Sequence, residues 1–125
     1  MAKSPCATRK IYWVDYAVHR PPKIWGKQII ESTKSGYARF KPGVNRKRID
    51  EGFYRQSRNG EFELNPSYVQ IEECFSYYYD VGQIIGASSG KETQFVLIKW
   101  GTGGDVHGCP ITKEELKTKY GVKNL

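Results

Sequence analysis

The residues with the greatest capacity for metal or nucleophilic chemistry are two histidines and three cysteines. His107 and Cys109 flank one glycine, and Cys74 could supply a third ligand. Structural zinc sites take four ligands arranged as close pairs, so neither a metal nor any other cofactor is expected. His19 and His107 belong to no nucleophile motif. The adjacent carboxylates Glu72–Glu73 and Glu114–Glu115 would be aimed in different directions by a strand or a helix, not at one substrate bond. Gly101, Gly103 and Gly104 lack the GxxxxGK spacing of a phosphate loop. No set of catalytic residues emerges, and the chain is not expected to be an enzyme. An odd number of cysteines without a CxxC pair also argues against a disulfide framework. It favours a reducing compartment, with Cys74 and Cys109 as small buried apolar residues.

Charge points to binding. Residues 1–60 hold 14 Lys or Arg against four Asp or Glu, a net +10, whereas residues 61–125 hold six against nine, a net −3. A strongly basic half attracts polyanions. Its densest stretch is Pro42 to Asp50, expected to be a loop, where Arg46, Lys47 and Arg48 follow one another and Arg39 and Lys41 lie just upstream. Arg55 and Arg58 extend the series, and Tyr37, Phe40, Phe53 and Tyr54 are interleaved with it. Aromatic rings that stack on bases beside cations that neutralise phosphates are what single-stranded DNA or RNA requires; duplex DNA would need the charges alone.

The elements that would position these groups read as mainly β. Seventeen aromatic residues among 125 suit strands, and the 13 glycines and six prolines supply turns. Lys10 to His19 reads as a strand stopped by Pro21–Pro22. Gly26 to Ser32 and Gly36 to Lys41 read as a hairpin through Thr33–Lys34–Ser35. Gly52 to Gln56 and Glu61 to Leu64 flank Arg58–Asn59–Gly60, a strong tight-turn signal. Ser67 to Glu73 alternates as a half-buried strand should, Val81 to Ala87 and Thr93 to Trp100 are apolar strands, and Ser88 to Lys91 is a turn. Thr112 followed by Glu114 and Glu115, with Leu116 and Tyr120 one turn apart and Gly121 as a stop, predicts a helix. No run approaches the length of a membrane span, and Met1 to Lys10 lacks a signal-peptide core.

Two of these strands carry a resemblance. The run Tyr79-Asp80-Val81-Gly82-Gln83-Ile84-Ile85-Gly86-Ala87, a short turn, and then Phe95-Val96-Leu97-Ile98-Lys99-Trp100 resembles the chromodomain superfamily over residues 75–125. The Ile-Ile-Gly-Ala wording is closer to the chromo shadow variant. The resemblance implies a small antiparallel barrel of the SH3-like, chromo-like kind with a C-terminal helix. It also implies an aromatic cage that holds a methylated ammonium by cation–π attraction. By position the cage aromatics are Tyr79 and Trp100; the third position falls on Gly103, with Tyr77 or Tyr78 as substitutes. The shadow variant implies a homodimer and a clamped extended peptide. Here Ile111, Leu116, Tyr120 and Val122 would supply a shortened dimer face, because the sequence stops at Leu125 about where that helix begins.

The expectation is therefore an α+β protein, mainly β, with a basic β-rich region over residues 1–74 and a chromo-like unit over 75–125, the two forming one continuous domain or two. Its expected role is non-enzymatic and chromatin-associated: a module that engages a peptide or histone tail with help from DNA or RNA contacts. The competing expectation is a nucleic-acid-binding β-barrel that reads no methyl-lysine. The expected location is nuclear, or cytosolic without chromatin association.

Overall fold

The computed structural model describes residues 9–125, so Cys6 lies outside the described residues. Strand β9 (Phe95–Trp100) is the centre of the fold. Phe-Val-Leu-Ile is apolar on both faces of the pleat, which is what a strand covered on two sides requires. On its flanks lie β10 (Asp105–Ile111) and β6 (Ser76–Asp80), both antiparallel to it. Beyond them come β1 (Tyr12–Trp13), parallel to β10, and β5 (Val69–Glu72), antiparallel to β6, giving a five-stranded sheet in the order β1-β10-β9-β6-β5.

Val96, Ile98 and Trp100 point to one face, where they pack with Tyr77, Val106, Phe40, Phe53, Phe62, Tyr68 and Ile85. Phe95 and Leu97 point to the other, where Ile111 and Leu116 close over them with half-buried Tyr120 and Val122. The first of these clusters also holds Ile11, so one core runs across the boundary at residue 74. Around this sheet sit two smaller ones. Strands β2 (Arg39–Phe40), β7 (Gly86–Ser88) and β8 (Lys91–Thr93) form the first, and the hairpin β3 (Tyr54–Gln56) with β4 (Phe62–Leu64) forms the second. The hairpin turns where Arg58-Asn59-Gly60 predicted it, with Gly60 at φ 85. All the sheets are open, so the barrel expected from the resemblance is not closed: β1 and β5 end the large sheet without pairing to each other.

The C-terminal helix α3 (Lys113–Tyr120) starts as its sequence predicts. Thr112 Oγ1 accepts from the Glu115 N–H at 3.1 Å, and the Glu115 carboxylate accepts from the Thr112 N–H at 3.1 Å, a reciprocal capping box. Gly121 ends the helix at φ 66.

Four segments depart from the sequence reading. Gly26 to Ser32 is not a strand; Lys27–Ser32 forms helix α1, and Thr33 Oγ1 donates back to Ile30 O at 2.6 Å at its end. The basic segment up to Asp50 is not all loop, because Arg46–Glu51 forms helix α2, capped by the Asn45 side chain accepting from Arg48 N. Only Tyr12–Trp13 of the run from Lys10 to His19 is strand; Ala17–His19 is a turn of 3-10 helix. Val81 to Ala87 is interrupted, with strands ending at Asp80 and resuming at Gly86, because Gly82 turns the chain at φ 86 and its N–H bonds the Asp80 carboxylate at 2.9 Å. Among the described residues no helix is long and apolar enough to cross a membrane.

Candidate functional site

The two proposed cage aromatics do not meet. Tyr79 pairs with Val96 in the register of β6 on β9, and Trp100 lies four residues further along β9, about 13 Å at the rise of a strand. Tyr79 instead stacks on Tyr68, with centroids 4.3 Å apart and planes at 12°. Trp100 is only 1% exposed. Phe53 and Phe62 meet its ring edge-on at 5.9 and 5.6 Å, and its indole N–H donates to Lys10 O at 2.9 Å. Trp100 also adjoins Phe75, just before β6, whose carbonyl accepts from Trp100 N at 2.8 Å and which is 41% exposed. The resemblance places a cage aromatic at Tyr79 rather than Phe75, because the Tyr-Tyr-Tyr run carries no local signal for which tyrosine faces which β9 residue. The aromatic neighbours Phe75 and Trp100 are filled by a cation of the chain itself: the Arg9 guanidinium lies 4.9 Å and 4.3 Å from their centroids.

Tyr79 belongs to a different feature. An open groove of about 690 Å³ runs between the start of β5, the end of β6, β8 and the start of α3. Its lining includes Val69, Tyr78, Tyr79, Ile84, Phe95 and the charged Asp80, Glu92, Glu114, Lys91 and Lys113. Glu114 is paired with Lys91 at 3.9 Å, and Glu92 accepts from the Trp25 indole at 3.1 Å. Val69 and Ile84 are 45% and 38% exposed, so the groove presents apolar surface to solvent. The outer edge of β5 pairs with no strand among the described residues.

The cationic residues divide into two kinds. Arg46 is structural: its side chain is 10% exposed, ion-paired with Asp15, donating to Tyr16 O at 3.1 Å, and set over the rings of Trp13 and Phe40 at 5.9 Å. Lys47 stands over Trp13 at 5.4 Å and reaches Glu51 at 4.0 Å, yet remains exposed, as does Arg48. Arg39 and Lys41 are half-buried on and beside β2, with Arg39 Nε donating to Arg20 O at 3.2 Å. Through Asp15, Arg20 and Arg46 these groups share a face with exposed Tyr16 and Tyr37. Tyr16 stacks on His107 at 3.8 Å, and Tyr37 meets His19 edge-on at 6.2 Å. Arg55 and Arg58 lie apart on the β3–β4 hairpin, Arg55 facing Glu63 at 3.7 Å.

Asp50 is the titratable group the sequence reading did not single out. It is buried at the end of α2, where its Oδ2 accepts from Trp13 Nε1 at 3.0 Å and from Gly108 N at 3.1 Å. Burial pushes its carboxyl up to about 6 despite those bonds and the nearby Arg46. Asp50 Oδ1 and His107 Nδ1 are buried without a hydrogen-bond partner, and burial lowers the His107 pKa. Carboxylate and imidazole are anchored to packing rather than opened to a cleft.

Cys74 is disulfide-bonded, which corrects the expectation of free buried thiols and removes the basis for inferring a reducing compartment. Cys109 is free, and burial pushes its thiol up to about 12, too high for a reactive thiolate. Among the described residues no cluster of three or more His, Cys, Asp or Glu side chains could hold a metal ion. Fold and site together define a small α+β protein, mainly β, with open sheets and a C-terminal helix. No family model, curated protein or solved structure matches the chain.

Proposed function

We propose that the protein is a non-enzymatic, chromatin-associated module, with a chromo-like arrangement of β6 to β10 and α3, that takes an extended peptide such as a histone tail along the β5 edge and the adjoining groove. One observation carries this reading: an unpaired strand edge and an apolar-aromatic groove meet at Val69, which belongs to both. An open edge offers backbone donors and acceptors to an incoming strand, and the groove beside it selects side chains. Asp80, Glu92 and Glu114 against Lys91 and Lys113 leave the lining with a net charge of −1, a slight bias towards a peptide that carries basic residues. The test is fluorescence titration of a histone-peptide array against the full chain and against Val69→Asp and Ile84→Asp. A loss of tenfold or more in affinity with unchanged circular dichroism is expected; unchanged affinity would remove the groove from the reading.

A second reading rests on the face built by Arg20, Arg39, Lys47, Tyr16 and Tyr37, in which cations and exposed rings are interleaved. That combination suits a single-stranded nucleic acid, bound alone or alongside the peptide. Binding of a labelled oligonucleotide should weaken steeply with salt, by roughly one power of concentration for each phosphate neutralised. Salt-insensitive binding would exclude it.

A further inference from the structure

Arg9 reaches its neighbours from a great distance along the chain. Its Nη1 donates to Cys74 O, its Nη2 to Trp100 O at 3.0 Å and also to Gly101 O, across sequence separations of 65, 91 and 92 residues. Two rings complete the surroundings, Trp100 at 4.3 Å and Phe75 at 4.9 Å from the guanidinium carbon. The acceptors come from the turn before β6 and the end of β9, held together by the Trp100 N to Phe75 O bond of 2.8 Å. The site is thus made by one part of the fold, and Arg9 enters it as a ligand would.

Its chemistry is selective. A guanidinium is planar, carries several N–H donors in a fixed fork and no acceptor, and is weakly hydrated. It can therefore donate in its plane to several carbonyls while its face lies on an aromatic ring. An ammonium has three donors, tetrahedrally disposed, and is more strongly hydrated, so it matches this set of planar acceptors less well. The backbone that brings Arg9 is laid down as an added strand: Lys10 O accepts from the Trp100 indole at 2.9 Å, Ile11 is buried, and Tyr12 N donates to Gly104 O at 2.9 Å. Main-chain pairing along a sheet edge together with one side chain in a pocket is how extended peptides are recognised, here within a single chain.

We propose that Phe75, Trp100 and the carbonyl oxygens of Cys74, Trp100 and Gly101 form a guanidinium-binding site, separate from the groove beside Tyr79, which Arg9 occupies in cis and so closes to arginine side chains of other chains. The site stands independently of the groove, and failure of this test leaves the peptide reading untouched.

Thermal unfolding of the full chain and of Arg9→Ala, with methylguanidinium chloride at millimolar concentration, tests it; tetramethylammonium chloride at equal ionic strength is the control. The variant should melt below the parent and regain about 3 °C as methylguanidinium fills the vacated site by mass action, with a smaller gain from tetramethylammonium and none in the parent. Equal gains in parent and variant, or no gain in a folded variant, would overturn the proposal. If Arg9→Ala does not fold, a double-mutant cycle of Arg9→Lys with Phe75→Leu decides, since both substitutions keep bulk at their positions. The two losses should be clearly non-additive, and additivity would count against the site.

Discussion

Asp50 and Gly108 are fitted to each other at atomic contact. Asp50 Oδ2 accepts from Gly108 N at 3.1 Å, and a Cβ at position 108 would stand 2.2 Å from Asp50 Oδ1 and 3.1 Å from Ile98 Cδ1. This contact joins α2 to the middle of β10 and, through Trp13 Nε1, to β1. Gly108→Ala should therefore destabilise the fold by about 2–3 kcal/mol, the scale of overpacking a tight site combined with a strained buried carboxylate. Urea unfolding would show it as a lower midpoint with unchanged slope. A midpoint within error of the parent would mean that α2 moves freely away from the sheet.

The same carboxylate sets a pH dependence. Asp50 rises from 3.8 to about 6, mainly because burial disfavours its charge. Between about pH 4 and pH 6 the folded protein keeps a proton there that the unfolded chain has released. The contribution of Asp50 to stability accordingly declines as pH rises through that window and stays lost above it, by about 3 kcal/mol for a shift of this size. Asp50→Asn retains an acceptor for Trp13 and Gly108 but cannot ionise. Its stability relative to the parent should climb across the window and level off above it. His107 acts in the opposite sense, because its lowered pKa costs stability as pH falls below 6.5, but it is common to both proteins and cancels in the difference. A flat difference curve from urea unfolding at stepped pH would show that Asp50 titrates normally.

These two predictions rest on residues the sequence did not advertise, and the reason is physical. Local signals were readable: Asn-Gly at the β3–β4 turn, the capping box at Thr112 and Glu115, and the apolar run of β9 each fix structure through neighbours within a few residues. Helix α2 was also legible in principle, since Asn45 is a good cap and Lys47 and Glu51 are four apart; the density of positive charge drew the reading towards a loop instead. Helix α1 was not legible, because Ile29–Ile30 after a glycine favours a strand, and only tertiary contact settles the choice. The site was harder still. Arg9 with Trp100, and Asp50 with Gly108, are separated by 91 and 58 residues, and no spacing rule links them.

Trp100 and Tyr79 should separate cleanly on substitution. Trp100 is enclosed by Phe53, Phe62 and Arg9, so Trp100→Ala should cost about 3–5 kcal/mol and bring the chain close to unfolding. Tyr79 is half-buried on Tyr68 at the groove, so Tyr79→Ala should cost less, about 1–2 kcal/mol, and act chiefly on peptide affinity. Chemical denaturation and peptide titration on the same samples distinguish the two. Full stability in Trp100→Ala would contradict its place in the core.

Within the basic series the contrast falls between Arg46 and its exposed neighbours. Arg46 is desolvated, paired with Asp15, bonded to Tyr16 O and set on two rings. Arg46→Gln removes one of the two cations on Asp15, leaving Arg20 in place, and takes the donor from Tyr16 O and the guanidinium from the Trp13 and Phe40 rings. About 1–2 kcal/mol of stability should be lost, with any effect on nucleic acid following from that. Lys47 and Arg48 are exposed, and Arg55 has only a solvated partner, its side chain being 86% exposed. Neutralising Arg55 or Arg58 on the distant hairpin should leave both stability and the salt slope of oligonucleotide binding unchanged, because surface pairs contribute little. Neutralising Arg39 and Lys47 together should lower that slope by about one for each phosphate contact removed, with only a small fall in melting temperature from the lost Arg39 bond to Arg20 O. If the hairpin substitutions flatten the slope instead, the nucleic-acid surface lies on β3 and β4 rather than on the face around Tyr16 and Tyr37.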